Sequence, residues 1–244
     1  MKRMLLVLSI ALFTFSPVFA EEGRLIVAVR DVTESFLYLK ESNGLVVTQI
    51  IPRLNFNDSM VFIRLGSNAE LTYHYDFPAY IRDTTYSNFI DYKRKKFVLE
   101  KAKQEVEKSR GQLLSWFKEE MSRAPQKGGT TRVHQSLEIL TSLFKTSEKR
   151  EKFLFIFSDL LHEDGKLKTN LPPKQLIPFN GVHVICVFTQ WKSYSEFEGL
   201  QKAWGGFFSS ATSFRMYDPA SSMLVKDILP TIIYDLPKFQ MTSY

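Results

Sequence analysis

Two segments of this chain place hard oxygen donors directly after apolar runs. In Arg30-Asp31-Val32-Thr33-Glu34-Ser35 a carboxylate is followed by hydroxyls two and four residues on, just past Leu25-Ile26-Val27-Ala28-Val29. In Ser158-Asp159 a hydroxyl and a carboxylate follow Phe153-Leu154-Phe155-Ile156-Phe157. A third source of hydroxyls, Thr130-Thr131, comes after Gly128-Gly129. Two carboxylates with several hydroxyls form an all-oxygen donor set of low charge. Such a set suits a hard divalent cation: Mg²⁺ prefers near-octahedral oxygen at about 2.0–2.1 Å and keeps waters where protein ligands are few. Thr33 and Ser35, two apart in a turn leaving a strand, can both face a metal held near Asp31. An open coordination position is then available to a carboxylate from outside. The same residues also have plainer uses. Thr33 or Ser35 suits the N-cap of a following helix, Asp159 suits the cap of a turn, and Gly128-Gly129 suits a helix-entry loop.

Other chemistry has less support. His162-Glu163-Asp164, just past Asp159, is the best acid–base candidate for a metal-assisted hydrolase, and it reads more simply as an acidic loop. Oxygen-only Mg²⁺ sites do serve phosphoryl transfer, but no general base stands beside the motif. No Walker A sequence, G-x-S-x-G or H-E-x-x-H is present. The expectation is that the protein is not an enzyme. Cys186 is the lone cysteine, within Val182-His183-Val184-Ile185-Cys186-Val187-Phe188, and reads as a small buried hydrophobe rather than a nucleophile.

The elements that must position these oxygens are legible from periodicity. Leu25-Ile26-Val27-Ala28-Val29 and residues 153–157 and 182–188 are short continuous apolar runs, as expected of strands buried on both faces. Residues 36–51 carry apolar positions at helical spacing and end at Pro52. Met60-Val61-Phe62-Ile63 and Leu71-Thr72-Tyr73-His74-Tyr75 flank Gly66-Ser67-Asn68 and predict an antiparallel hairpin. A long helix is expected over about 87–123, with Tyr92, Leu99, Val106 and Leu113 spaced by seven, joined by Ala102 and Trp116, and with Gly111 as a place for a bend. Further helices are expected at about 133–145, 196–208 and 222–234, and a short strand at 213–217. Residues 160–181, with Pro172-Pro173 and Pro178, read as a loop or a broken helix. No internal repeat or low-complexity tract is present. This order predicts a doubly wound α/β fold: a mostly parallel six-stranded sheet with one antiparallel edge strand and helices on both faces. In such sheets ligands bind beyond the carboxyl ends of the strands, where the strand order reverses. If the first and fourth strands are neighbours there, Asp31 and Asp159 converge.

With the elements in place, a resemblance emerges. Asp31-x-Thr33-x-Ser35 resembles the D-x-S-x-S motif of the von Willebrand factor type A domain. Gly128-Gly129 with the threonines after it resembles that family's Gly-Gly-Thr segment, and Ser158-Asp159 its Ser/Thr-Asp at the end of the fourth strand. Ser136-Leu137 matches the family's Ala-Leu, a register that selects Thr131, with Thr130 directly after the glycines as the alternative. The resemblance covers nearly the whole chain after residue 20. It implies a metal-ion-dependent adhesion site with Mg²⁺, or Mn²⁺ or Ca²⁺, held by Asp31, Thr33, Ser35, Thr131 and Asp159. It also implies a protein-binding module whose partner presents an Asp or Glu. The departures are Thr33 for the usual serine, Arg30 where an apolar residue is commoner, and Leu160 where glycine is frequent. Arg30 favours an alternative, a metal-free envelope scaffold in which a cation replaces the metal's charge.

Composition and ends complete the reading. Lys2-Arg3, an apolar run over 4–15, and Val18-Phe19-Ala20 have the form of a cleavable signal peptide over 1–20. The expectation is therefore a periplasmic or secreted protein whose residues 21–244 form one domain of this kind. A formal net charge of +6 is too modest and too dispersed to predict nucleic-acid binding. Lys93-Arg94-Lys95-Lys96 could touch an anionic surface weakly, though a solvated helix face explains it as well.

Overall fold

A computed structural model describes residues 23–80, 89–127, 131–149, 151–163, 167–175 and 177–222. The expected signal peptide, Gly128-Gly129-Thr130, Asp164 and nearly all of the last expected helix lie outside these residues.

Strand β1 (Arg24–Asp31) is buried at every position, as its unbroken apolar run requires. Its side chains alternate between two cores. Ile26 and Ala28 join a cluster with Phe62, Phe117, Phe155 and Ile185. Leu25, Val27 and Val29 join a second cluster with Leu137, Leu154, Trp204 and Phe208 on the opposite face. The first cluster is covered by α1 (Leu39–Leu45) and α2 (Phe89–Met121), the second by α3 (Val133–Thr146) and α4 (Tyr194–Phe207). Burying each large apolar side chain is worth about 1.5–3 kcal/mol, so a strand buried on both faces anchors both layers at once.

With β2 (Ser59–Leu65), β3 (Ala69–Asp76), β4 (Glu151–Phe157), β5 (His162–Glu163), β6 (Lys168–Thr169), β7 (Val182–Val187) and β8 (Ser213–Met216), the described residues form a six-stranded sheet and a two-stranded ribbon. The sheet order is β3-β2-β1-β4-β7-β8. All neighbours are parallel except the β2–β3 hairpin, which forms the antiparallel edge. The expected fold class is therefore the observed one. β1 sits between β2 and β4, with Arg30 in register with Arg64 on one side and Phe157 on the other. The carboxyl ends of β1 and β4 thus lie side by side.

The differences from the sequence expectation have physical causes. The first helix starts at Leu39 rather than Phe36, because Phe36 turns inward against Phe188. It then continues through a π-helical stretch (Val46–Ile50) and a 3-10 turn (Ile51–Arg53), the latter carrying Pro52. Gly111 does not divide α2, which runs unbroken across it. The stretch 160–181 is not all loop: β5 and β6 pair in it as an antiparallel ribbon too short to show periodicity. Four-residue α5 (Pro219–Ser222) closes the described chain. Cys186 is fully buried, and burial pushes its thiol pKa up, as expected of a structural cysteine.

Candidate metal-ion site at the carboxyl edge of the sheet

β1 ends on Asp31, a buried carboxylate at the top of the central strand. Its Oδ1 accepts hydrogen bonds from the Thr33 backbone N–H at 3.0 Å and from the Thr33 hydroxyl at 2.7 Å. Its Oδ2 accepts from the Ser158 hydroxyl at 3.0 Å, across from β4. Thr33 Oγ1 lies 3.0 Å from Ser35 Oγ, and the Thr131 hydroxyl approaches it at 3.5 Å. Four of the five residues named from the sequence therefore share one hydrogen-bonded group, with Ser158 as a fifth member. Asp159 meets the group at the Ser158 hydroxyl. Its Oδ1 also accepts from the Leu161 backbone N–H at 2.9 Å, so it caps a turn. It is near enough to act electrostatically on Asp31.

Neighbouring segments hold the loop after β1. Gln126 forms a parallel bridge with Thr33, its N–H donating to Val32 O at 2.9 Å and its carbonyl accepting from Glu34 N at 3.3 Å. Gln126 Oε1 also accepts from the Ser67 N–H, tying this loop to the β2–β3 turn. Thr131 is fixed through its carbonyl, which accepts from Glu163 N of the β5–β6 ribbon. The helix-capping use of Thr33 and Ser35 is not realised: α1 begins after Tyr38 and has no side-chain cap.

Burial pushes the Asp31 pKa up to about 6; the hydrogen bonds from Thr33 and Ser158 oppose that rise, and the charge of Asp159 adds to it. Asp159 is also raised, first by burial, with Lys168 and local hydrogen bonds opposing. Among the described residues no three of His, Cys, Asp and Glu cluster in the manner of a metal site. The candidate site is therefore one of two carboxylates and hydroxyls. That donor set fits Mg²⁺: every donor is a hard oxygen, and two neighbouring carboxylates with raised pKa values are stabilised by a divalent cation.

Arg30 does not belong to this group. Strand alternation turns it to the opposite face, where its Nε and Nη2 donate to Asn43 Oδ1 at 3.1 and 2.6 Å and its guanidinium lies over the Phe117 ring. The feature that favoured a cation substituting for the metal is thus directed away from Asp31. Leu160 has φ 62°, a left-handed conformation that glycine adopts freely, which accounts for the glycine common at this position in the resembling family. Its buried side chain and the bond from its N–H to Ser158 Oγ at 3.0 Å hold the turn that presents Asp159.

Ser158, read from the sequence as the hydroxyl beside Asp159, bonds directly to Asp31. Thr189 was not singled out from the sequence: it follows β7 as Asp159 follows β4, and its buried Oγ1 has no hydrogen-bond partner; neither has Nε2 of Gln190. The signal was the same: a polar residue closing a buried apolar run. His162 is buried, stacked on His134 with ring centroids 3.9 Å apart, and Glu163 pairs with Lys168 at 3.2 Å.

No family model matches the sequence, and no curated protein matches it. Solved structures do align with it. A PilB minor pilin from Streptococcus sanguinis, as its D319A mutant, aligns at 7% identity over 89% of this chain and 62% of its own, with a TM-score of 0.51. A von Willebrand factor type A protein from Catenulispora acidiphila aligns at 11% identity over 87% of this chain and 42% of its own, TM-score 0.48. The conserved hypothetical protein BatB from Bacteroides thetaiotaomicron aligns at 13% identity over 86% and 98%, TM-score 0.42. The chain spans less than half the length of the Catenulispora protein. In this chain the strand order, the single antiparallel edge and the two helical layers make the doubly wound α/β fold expected from the sequence. Within that sheet, the candidate oxygen group occupies the end of the central strand. Likeness at these identities concerns the fold alone.

Proposed function

We propose that this protein is a binding module that holds one divalent cation, Mg²⁺ or alternatively Mn²⁺ or Ca²⁺, at Asp31, Thr33, Ser35, Thr131 and Asp159. It engages a partner protein through an Asp or Glu that completes the metal's coordination. The observation that carries this reading is the Asp31 carboxylate: buried, bonded to hydroxyls from two segments and raised further by Asp159. When bound, the cation supplies a positive centre for an incoming carboxylate. The chain's own part is to fix the ligands before binding, which lowers the cost of ordering them. Ser35, exposed at the edge of the group, faces the side from which a partner arrives. A contact of this kind gives orientation as well as affinity.

The reading treats the protein as a non-enzyme. His162, the one acid–base candidate, is buried against His134 and is poorly placed to meet a substrate. A periplasmic or secreted location agrees with the signal-like residues 1–20; among the described residues no helix is long and apolar enough to cross a membrane.

Affinity capture from cell envelopes, run in Mg²⁺ and again in EDTA, tests the proposal. Partners are expected to be retained in Mg²⁺, released by EDTA and not captured by Asp31→Ala. Recovery of the same proteins under all three conditions would overturn metal-bridged binding.

A further inference from the structure

On the face of the sheet opposite Asp31 lies a second polar site that the metal reading does not use. Arg30 and Arg64 stand side by side in register on β1 and β2. Above them the end of α2 supplies Glu120, whose side chain is only 3% exposed. Arg64 Nη1 lies 3.7 Å from Glu120 Oε1, and Arg123 Nη1 lies 2.7 Å from Oε2. Although close to Arg123, the buried Oε2 has no hydrogen bond of acceptable geometry. Arg30, itself buried, spends its Nε and Nη2 on the neutral amide of Asn43. Three guanidinium groups thus surround one buried carboxylate, and the other acid present, Glu70, is exposed and bonds only Arg64. A buried arginine without a full counter-charge is costly, so the fold maintains an excess of positive charge at this spot.

These groups line a small cavity of about 30 Å³. It shares Leu39, Asn43, Met121, Arg123 and Pro125 with an adjoining groove of about 640 Å³ between α1 and the end of α2. Leu37, Lys40, Gly44 and Val47 complete the groove wall, and Leu37 is 74% exposed. Charge in the floor and apolar side chains in the groove wall together define the occupant. A free phosphate would use the arginines but leave the groove wall in water. A lipid tail would use the wall but find Lys40 and Arg123 at the rim. A peptide with one acidic side chain beside apolar ones satisfies both, its carboxylate taken by planar guanidinium donors.

We propose that this cavity and groove dock an acidic–apolar peptide segment of a partner protein, with an Asp or Glu inserted among Arg30, Arg64 and Arg123. Docking here is independent of a metal at Asp31, so it stands or falls separately from the function proposed above.

The test is selection from a random 12-residue phage-displayed peptide library against the full chain in EDTA. Enriched peptides are expected to carry Asp or Glu flanked by apolar residues. As synthetic peptides they should bind the wild type at least tenfold more tightly than Arg123→Gln or Arg30→Met, and equally to Asp31→Asn. Arg123 is half exposed, so its variant keeps the test valid if Arg30→Met fails to fold; thermal melts verify both. Replacing the acidic residue of the peptide by its amide should cost a similar factor. Failure to enrich any acidic–apolar sequence would overturn the proposal, as would peptides that bind Arg123→Gln undiminished.

Discussion

Asp31→Asn is expected to make the metal-free protein more stable at neutral pH, the reverse of the usual outcome for a buried polar substitution. In EDTA the wild-type carboxylate has a pKa of about 6 against an ordinary value of 3.8. Below pH 4 the group is protonated in both folded and unfolded chains and contributes no difference. Between pH 4 and 6 the unfolded chain releases the proton while the folded chain retains it, so the folded state loses stability as pH rises. Above pH 6 the penalty is complete. A shift of about two units corresponds to roughly 3 kcal/mol, and Asp159, raised in the same direction, adds to the trend. Asparagine keeps an acceptor for Thr33 and offers an amide to Ser158 Oγ, so the variant avoids the charge and preserves the bonding. At about 2–4 °C per kcal/mol for a chain of this size, the variant should melt about 6–12 °C higher at pH 7.5 in EDTA. The difference should disappear near pH 4. Melting curves by circular dichroism across this pH range provide the check. A variant less stable than the wild type at pH 7.5 would show that the carboxylate is already compensated.

Asp58→Ala should be the most damaging single change in the fold. Asp58 is fully buried, and Arg24 beside it is 2% exposed. Asp58 Oδ1 accepts from Arg24 Nε at 3.1 Å and from the Arg24 backbone N–H at 2.9 Å; Oδ2 accepts from Nη2 at 2.6 Å and from Asn55 N–H at 2.7 Å. This one carboxylate joins the start of β1 to the turn before β2. Removing it leaves a buried guanidinium without this carboxylate, though Nη2 keeps its bond to Arg53 O, and leaves two backbone N–H groups without this acceptor, a loss of about 3–5 kcal/mol. Urea unfolding is expected to show a lower midpoint with an unchanged slope. A loss under about 1 kcal/mol would mean that water or neighbouring groups rescue Arg24. Replacing both partners, as Arg24→Met with Asp58→Leu, should recover much of the loss.

These two sites differ in how visible they were in the sequence. Asp31, Thr33, Ser35 and Asp159 follow apolar runs that can only be buried strands, so chain order and strand-end position brought them together. The Arg24–Asp58 pair is 34 residues apart and carries no periodic signature, so only the parallel register of β1 and β2 reveals it. Arg30 shows the limit from the other side. Adjacent in sequence to Asp31, it was read as adjacent in space, yet strand alternation puts its side chain on the far face with Asn43 and Phe117. The β5–β6 ribbon escaped because two residues per strand hold no period, although it braces Thr131 through Glu163. Ser158 was legible as a neighbour of Asp159, but its bond to Asp31 needed the β1–β4 register.

The central claim is that Asp31 and Asp159 hold a divalent cation together. Calorimetric titration of Mg²⁺ or Mn²⁺ into the wild type, Asp31→Asn and Asp159→Asn at pH 7.5 tests it most directly. The account predicts one saturable site in the wild type, lost in both variants and weakened as the pH falls below 6, where Asp31 gains its proton. No uptake by the wild type, or equal uptake by all three proteins, would contradict it.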